Sequence, residues 1–311
     1  MIGFDIGGTK CAVCIGEPRE NRFIISDKRS FATKDARDPY EMIEWLCSAA
    51  EEMTDDLSRV GISCGGPLDT ARGLILSPPN LPGWDEIPIV ELVEKRLGCR
   101  AALRNDADAC ALAEWRYGAG RGSDSMVFLT FGTGFGAGVI LNRALWQGAT
   151  GRAGEIGHVR LAKRGPVGYY KAGSVEGFCS GGGIAKLASK AVKRALVEGI
   201  KLPYCASERA LDGINAKVIA DYARQGETVA RGVYDTVATR LGETLAIIFD
   251  ILDPDVVVIG SIFERCEDLL RPGMEKVLFR EALRGEDCCV VPAVLGDSIG
   301  DIAALTVAQE V

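Results

Sequence analysis

The residues with the clearest chemical potential stand near the start of the chain, in the segment GFDIGGTK. Consecutive glycines at Gly7 and Gly8 indicate a tight turn whose backbone amides can cradle an anion, because glycine has no Cβ to hold a phosphate away. Thr9 adds a hydroxyl group and Lys10 an ammonium group, and Asp5 is a carboxylate suited to a hydrated Mg²⁺ ion. The combination predicts a phosphate-binding turn with magnesium beside it.

A second glycine turn, Gly132-Thr133-Gly134, offers another set of backbone amides. A nucleotide P-loop is excluded because the chain contains no Gly-Lys dipeptide. A dinucleotide fingerprint must open a helix, whereas the residues that follow this turn, GVIL, are typical of a strand. Either turn alone is compatible with a β-hairpin that binds nothing. Together with Asp5 and Lys10, the two turns favour phosphate binding.

Asp106, in the segment RNDADACALAEW, is the candidate for a general base. It falls where a predicted strand gives way to a helix, so the free amides of the helix would face it and favour its ionised form. Asparagine and aspartate are also common N-cap residues. Asn105 or Asp108 is equally placed to cap the helix and leave Asp106 free.

A third cluster combines Glu155 and His158, the only histidine, with the later Glu176. Carboxylate and imidazole groups both recognise hydroxyls, so the three side chains are candidates to line a polar, sugar-binding pocket. A lone histidine between glycine and valine is also compatible with a purely structural role.

These candidates require alternating strands and helices to position them. In the helix DPYEMIEWLCSAAEEM, Asp38 is placed to cap the first turn, Pro39 to start it and Glu41 to complete a capping box. A long helix over 226–252 ends at Asp253, and DVVVIGS follows it as a buried strand. Further strands are predicted over 2–6 and 11–16, near RVGISC and up to Leu103, and on both sides of the second glycine turn, with a terminal helix in GDSIGDIAALTVAQE.

This alternation predicts an α/β protein of two lobes. The glycine-rich segment GAGRGSDS is the best candidate for a boundary. We therefore expect an N-terminal α/β lobe over 1–118 and a C-terminal α/β lobe over 119–297, with the terminal helix 298–311 packing back on the first lobe. A strand–glycine–strand pattern in each half suggests that the lobes are structurally related.

Composition and charge exclude other classes. The chain has 311 residues, 47% hydrophobic and 25% charged, which is typical of a soluble globular protein. A net charge of −7 argues against a nucleic-acid partner, and no apolar run approaches the roughly 18 residues of a membrane span. The start resembles no signal peptide, and the eleven cysteines lie scattered in apolar settings. We expect free thiols, a cytoplasmic location and no membrane partner.

With these segments in place, the chain resembles the ROK (repressor, open reading frame, kinase) family of sugar kinases, within the actin/hexokinase-like ATPase superfamily. The resemblance implies a two-lobed, ribonuclease H-like fold with its active site in the cleft between the lobes. The matching segments are GFDIGGTK, GISCGGPLD, LSPPNLPGW, RNDADACALAE, LTFGTGFGAGVI, GRAGEIGHVRL, VVVIGS and GDSIGDIAAL.

The resemblance also implies a role for each candidate. Asp106 matches the family's general base, which takes a proton from a sugar hydroxyl, expected to be the 6-hydroxyl, as that oxygen attacks the γ-phosphorus of ATP. Asp5 would face Mg²⁺ through water. The phosphates would be held by Gly7, Gly8, Thr9, Lys10, Gly132, Thr133 and Gly134, with Gly260 near the adenosine. Besides Asp106, the sugar would be contacted by Gly66, Asn80, Asn105, Glu155, His158 and Glu176.

One departure concerns the structural zinc that most family members hold through a histidine and a cysteine-rich segment. The corresponding stretch here is VGYYKAGSVE, in which the cysteine positions are occupied by Val167, Tyr169 and Ser174. His158 alone cannot supply a tetrahedral site. We predict that the zinc is absent, with Tyr169, Tyr170 and Phe178 filling the vacated space as apolar packing.

The sequence thus predicts an ATP-dependent hexose kinase of glucokinase type, with ATP and Mg²⁺ as cofactors. An N-acylhexosamine or another hexose derivative is the alternative substrate, and a non-catalytic sugar-binding protein is the alternative class. A repressor is disfavoured because Asp5 leaves no room for a preceding DNA-binding domain, and an iron–sulfur activase because the cysteines are scattered. A homodimer is expected from the family alone.

Overall fold

The computed structural model describes residues 1–20 and 22–311, and in this part of the chain it contains fourteen strands and nine α-helices. The strands are Ile2–Ile6 (β1), Lys10–Arg19 (β2), Arg22–Ala32 (β3), Arg59–Cys64 (β4), Leu68–Asp69 (β5), Leu74–Ile75 (β6), Arg100–Asn105 (β7), Met126–Leu129 (β8), Ala137–Leu141 (β9), Ala144–Leu145 (β10), Val167–Gly168 (β11), Lys171–Ala172 (β12), Val256–Ile259 (β13) and Val290–Pro292 (β14).

The helices alternate with the strands, as predicted. They are Pro39–Met53 (α1), Ile89–Leu97 (α2), Asp106–Tyr117 (α3), Val175–Phe178 (α4), Gly181–Val197 (α5), Ala216–Arg224 (α6), Thr228–Leu252 (α7), Ile262–Glu281 (α8) and Ile299–Val307 (α9). Short 3₁₀ segments include Glu155–His158 and Ala308–Glu310.

Two five-stranded sheets share one strand order. The first runs β3-β2-β1-β4-β7, with β1 antiparallel to β2 and parallel to β4. The second runs β10-β9-β8-β13-β14, with β13 parallel to β14. In both sheets, a glycine turn joins the first strand to the second, which lies beside it. The two strands of each sheet that come last in the chain lie on the opposite side of the first strand. The α/β prediction is confirmed, and the matching orders support the suggested relation between the two halves.

Chain contacts divide the molecule into two compact units. Unit 1 comprises Met1–Phe128, Gly138–Ala153 and Val294–Val311, and unit 2 comprises Leu129–Ala137 and Gly154–Ala293. The lobe boundaries drawn from the sequence, 1–118 and 119–297, stay a prediction.

In unit 1, helix α1 packs on one face of the first sheet and the terminal helix α9 packs against β1, β4 and α3. The approach of α9 is close: a Cβ at Gly61 in β4 would lie 2.0 Å from the carbonyl oxygen of Ala304, so only glycine fits there. In unit 2, the long helix α7 packs against α5, α6 and α8, with Val233, Val237, Leu241 and Leu245 buried.

The helix ends show which of the predicted caps the protein forms. Asp38 caps α1 by accepting the amide of Glu41 at 2.9 Å, as predicted. The predicted capping box is wrong, because the Glu41 carboxylate accepts the amide of Arg37 rather than that of Asp38. Helix α7 ends before Asp253, which adopts a left-handed conformation with φ 44°.

All eleven cysteines are free thiols, and nine of them are buried. Cys11 and Cys14 form a C-x-x-C sequence on β2, but an offset of three residues places their side chains on opposite faces of the strand. Cys289 is exposed. No helix in the described residues combines the length and the apolar character needed to cross a bilayer.

Candidate active site

The first glycine turn joins β1 to β2 in unit 1. The amide of Gly7 donates to the carbonyl of Lys10 at 3.1 Å and closes the turn. Gly8, Thr9 and Lys10 are exposed, so their backbone amides and side chains are accessible to a ligand. A Cβ at Gly8 would lie 2.3 Å from the carbonyl oxygen of Asn80. Glycine at position 8 is therefore required by packing against Asn80, and two predicted site residues are neighbours.

Asp5 stands on β1 opposite Ala12 of β2 and Ser63 of β4, and its side chain is half-buried. Burial, with the nearby negative charges of Asp301 and Asp106, raises its pKa to about 6, and the ammonium groups of Lys10 and Lys28 oppose that rise. The carboxylate is thus in an environment with surplus negative charge.

Of the two neighbouring carboxylates, Asp301, on α9, raises the pKa of Asp5 more than Asp106 does. It is buried, and it forms an ion pair with Lys28 through Oδ2. Its other oxygen, Oδ1, has no hydrogen-bond partner among the described residues. A Cβ at the preceding Gly300 would lie 2.9 Å from Asp5 Oδ2, so the start of α9 abuts the Asp5 carboxylate. The sequence reasoning assigned no role to Gly300, Asp301 or Lys28.

Asp106 is the first residue of α3. Asn105 caps the helix by accepting the amide of Ala107 at 3.0 Å, which decides between the two capping candidates. Asp106 is not entirely free, because its Oδ1 accepts the same amide at 2.9 Å. Its side chain remains open to water although protein surrounds it. Desolvation by that protein raises its pKa above the ordinary range, while the amide hydrogen bonds lower it.

The loop after β4 borders the same two residues. A Cβ at Gly65 would lie 3.8 Å from Asp106 Oδ2, and one at Gly66 would lie 3.2 Å from Asn105 Nδ2. The peptide bond between Gly66 and Pro67 is cis. Gly66, Asn105 and Asp106 are therefore brought together by the parallel strands β4 and β7, which end side by side.

The second glycine turn belongs to unit 2. The amide of Gly132 donates to the carbonyl of Gly134 at 3.2 Å, and Thr133 is exposed. The turn is held from two sides: the Gly181 amide at the start of α5 donates to the Gly132 carbonyl at 2.8 Å, and Glu176 Oε2 accepts the amide of Phe135 at 3.2 Å. The strand predicted after the turn is confirmed as β9.

Gly260 follows β13, and its amide donates to the carbonyl of Leu129 at 3.0 Å. The next residue, Ser261, has φ 61° and ψ −105°, a conformation that L-residues rarely adopt. Its hydroxyl oxygen lies 3.5 Å from where a Cβ of Gly132 would stand. The α5 start and Ser261 were missed by the sequence reasoning. The run CSGGG at the start of α5 was the available signal for the first.

The three hydroxyl-recognition candidates also lie in unit 2. Glu155 and His158 are exposed residues of one 3₁₀ segment. A Cβ built on Gly157, which lies between them, would be 3.6 Å from the Cβ of Glu176. The structure therefore brings Glu176 beside the 3₁₀ segment as well as beside the second glycine turn. The Tyr169 ring contacts that of His158 edge-on, with centroids 6.1 Å apart.

The segment that corresponds to the family's zinc loop is a small hairpin, β11–β12, followed by α4. Ser174 caps α4 by accepting the Gly177 amide at 3.1 Å, and it donates to the Lys171 carbonyl at 3.1 Å. Phe178 is buried, as predicted. The same prediction is wrong for Tyr169 and Tyr170, which are 55% and 90% exposed because both occupy the hairpin turn, with φ of 37° and 62°.

The described residues contain no group of three or more histidine, cysteine, aspartate or glutamate side chains arranged to hold a metal ion. The absence of zinc stays a prediction.

Two sheets of one strand order, each with a glycine turn between its first two strands, place the molecule in the actin/hexokinase-like ATPase class. The ROK family model matches residues 1–311, and the chain belongs to this family.

Relatives of known activity cover most of the chain. It is 32% identical over 286 residues to a glucokinase of Thermotoga maritima, covering 89% of this chain and 87% of the relative. It is 30% identical over 315 residues to a glucokinase of Streptomyces coelicolor, covering 99% and 97%. Among solved structures, a ROK family glucokinase from Streptomyces griseus, in complex with glucose and AMPPNP, superposes with a TM-score of 0.79 at 31% identity and covers 100% of this chain and 99% of its own.

Proposed function

We propose that this protein is an ATP-dependent hexose kinase of glucokinase type, which transfers the γ-phosphoryl group of ATP to the 6-hydroxyl of a hexose. The curated glucokinases at about 30% identity over most of the chain support this activity. The observation that carries the proposal is the placement of Asp106: a water-accessible carboxylate at the start of a helix, with a raised pKa and with one oxygen still unengaged by the helix.

Asp106 would act as the general base. Its Oδ2 takes the proton of the acceptor hydroxyl as that oxygen forms a bond to the γ-phosphorus, and the bond from the γ-phosphorus to the β-bridging oxygen breaks to release ADP. The Ala107 amide fixes Oδ1 and so orients the carboxylate. A raised pKa suits this role, since a base is most effective when its pKa approaches the working pH.

Asp5 would hold magnesium through water, and its surroundings fit a divalent cation. Three carboxylates, Asp5, Asp106 and Asp301, are partly balanced by Lys10 and Lys28, and Asp301 Oδ1 has no hydrogen-bond partner in the described residues. Bound Mg²⁺ neutralises charge on the nucleotide phosphates. The amides of Gly7, Gly8 and Thr9, and the Lys10 ammonium, would bind the transferred phosphoryl group.

In unit 2, we assign the amides of the second glycine turn, Gly132, Thr133 and Gly134, to the inner phosphates and Gly260 to the adenosine. The assignment of the turn is supported by its hydrogen bonds to Gly181 and Glu176, which fix it before any ligand arrives. Preorganised donors lose little entropy on binding.

We assign the sugar hydroxyls to six residues. The neighbouring positions of Gly66 and Asn105, of Asn80 and Gly8, and of Glu176 and the 3₁₀ segment support this grouping within each unit. The set is Gly66, Asn80, Asn105, Glu155, His158 and Glu176.

The test is a coupled ADP-release assay with Mg²⁺ over hexoses, N-acylhexosamines and glucosides, run on the wild type and on Asp106→Asn. We expect sugar-dependent ADP release that is greatest with a hexose, and a fall in kcat of about 10²–10⁴-fold in the variant. Asp35→Asn, which changes an exposed aspartate, serves as the control and should retain full turnover.

Equal turnover in Asp106→Asn would remove this residue from the mechanism. Preference for an N-acylhexosamine would select the alternative substrate, and no turnover with any sugar would select the non-catalytic alternative. We further propose a cytoplasmic homodimer, whose oligomeric state sedimentation of the purified protein would test.

A further inference from the structure

A second concave surface lies in unit 1 at the carboxyl-terminal end of α3, the helix that begins with Asp106. It is a depression of about 330 Å³ whose lining includes Trp115, Arg116, Arg121 and Arg143. None of these residues belongs to the candidate active site. The volume lies within the range of small-molecule sites.

The depression is locally basic in a chain whose net charge is −7. Arg116 donates to a neutral partner, the Gln309 side chain, at 2.8 Å. Arg143 pairs with Asp124 at 2.9 Å, but both side chains are about two-thirds exposed, at 68% and 66%, so this pair is weak. Arg121 is exposed and lines the depression.

The buried carboxylate of Glu114, which precedes Trp115 in α3, is engaged by backbone amides rather than by these arginines. It is fully buried, and its oxygens accept the backbone amides of Ala119, Val294 and Leu295 at 2.7–3.0 Å. The residues that line the depression thus include three arginines and no aspartate or glutamate.

The walls are held in place before any ligand arrives. The Trp115 indole donates to the Ser123 carbonyl at 2.9 Å, and the Ser123 hydroxyl donates to the Gly120 carbonyl at 2.6 Å, which fixes the loop that carries Arg121. Tyr117 packs edge-on against Phe23, with centroids 5.2 Å apart. Rigid aromatic walls beside arginine forks suit a ligand with an anionic end and a flat or ring-shaped body.

We propose that this depression binds the phosphomonoester of a small ring-bearing molecule, such as a sugar phosphate or a nucleoside monophosphate. The guanidinium groups of Arg116, Arg121 and Arg143 bind the phosphate, and the rings of Trp115 and Tyr117 contact the body of the ligand. Bidentate arginine–phosphate pairing provides the geometry. The site is separate from the catalytic carboxylates, so it neither requires nor is required by the kinase activity.

The test is calorimetric titration of the full chain with inorganic phosphate, a hexose 6-phosphate and adenosine monophosphate, without ATP or acceptor sugar. Arg121→Glu and Arg143→Glu are compared with Arg209→Glu, which makes the same charge change at an exposed residue of unit 2. Thermal unfolding verifies that each variant is folded. A hexose phosphate is also expected to occupy the proposed active site, so the depression is identified by the binding that depends on Arg121.

We expect saturable binding of at least one phosphomonoester that is weakened tenfold or more by Arg121→Glu and by Arg143→Glu, and unchanged by Arg209→Glu. Stronger binding of the esters than of inorganic phosphate would support contact with the aromatic walls, and the better ester would identify the class of ligand. The proposal is overturned if no ligand shows Arg121-dependent binding, if inorganic phosphate binds as well as both esters, or if Arg209→Glu weakens binding equally.

Discussion

At the scale of single residues, Asp5, the carboxylate that we propose for magnesium, lowers the stability of the folded protein at neutral pH. Its pKa rises from 3.8 to about 6 in the folded protein, so the native state binds this proton more tightly than the unfolded chain does. The resulting stabilisation is complete below pH 4 and is lost as the pH rises to 6. Above pH 6 the folded protein carries an unfavourable buried charge, which a bound cation would relieve.

Asp5→Asn removes that charge, and we expect the variant to be more stable than the wild type at pH 7.5 by up to about 3 kcal/mol. The advantage should disappear near pH 4, where the wild-type carboxyl is protonated in the folded state. Denaturant unfolding at the two pH values measures the difference, and kinase turnover should fall in the same variant. Asp55→Asn, at an exposed aspartate, should show no such pH-dependent gain. A gain of equal size at both pH values would show that the buried negative charge is not its cause.

Ser261 has a strained backbone, with φ 61° and ψ −105° at the junction of β13 and α8. Strain of this kind costs about 1–3 kcal/mol, and glycine would remove it at the expense of some unfolded-state entropy. We expect Ser261→Gly to raise the free energy of unfolding by about 0.5–1 kcal/mol. Ser261 forms the capping box of α8 with Glu264. Ser261→Ala keeps the strain and loses the capping hydroxyl, so it should lower stability by about 1 kcal/mol, whereas the same loss costs roughly a few tenths of a kcal/mol when glycine takes the N-cap position. Chemical denaturation of both variants measures the change in the free energy of unfolding. A destabilised glycine variant would show that the backbone is unstrained.

At the scale of elements, the Ser174 hydroxyl links the hairpin β11–β12 to the short helix α4. Ser174 is fully buried and links the Gly177 amide to the Lys171 carbonyl. Lys171 in turn donates from Nζ to the carbonyl of His158 at 2.8 Å, and Glu176 lies within α4. Two proposed sugar contacts therefore depend on this cap.

Ser174→Ala leaves the Gly177 amide without its acceptor, and we expect a loss of about 1–3 kcal/mol in the free energy of unfolding. Because Glu176 and His158 are positioned through this segment, KM for the sugar should rise more than kcat falls. Ser48→Ala, at a serine of α1, is the control for the substitution itself. Unchanged KM in a destabilised variant would show that the cap supports folding but not the sugar site.

At the scale of the whole molecule, the predicted absence of zinc has a direct consequence. If Ser174 and the buried Phe178 organise this segment without a metal, a chelator should not change the melting temperature. Elemental analysis of protein purified without added metal should find zinc well below one atom per chain. One tightly bound zinc atom per chain, with a fall in melting temperature on chelation, would contradict the prediction.

Much of the fold followed from local residue chemistry. The glycine turns, the Asp38 cap and the buried strand β13 depend on interactions within a few residues, so the sequence was enough to predict them. The Asn105 cap was left open between two candidates because both residue types suit the position.

The parts that escaped prediction depend on contacts between distant segments. Glu176 reaches the Phe135 amide 41 residues away, and Lys28 pairs with Asp301 across 273 residues. Tyr169 and Tyr170 were expected inside, but the turn geometry of a two-residue hairpin directs them outward. No local pattern carries this information, because it arises only when the sheets and helices pack.

The position of α9 also bears on how the protein is made. The buried residues of α9 complete the core around β1 and β4, yet they are synthesised roughly 235 residues after the end of β4. At ordinary rates of translation, the apolar faces of β1 and β4 wait about 10–50 s for α9 to be synthesised. During that interval the nascent chain presents uncovered strands, so molecular chaperones have both the time and the surface to engage it.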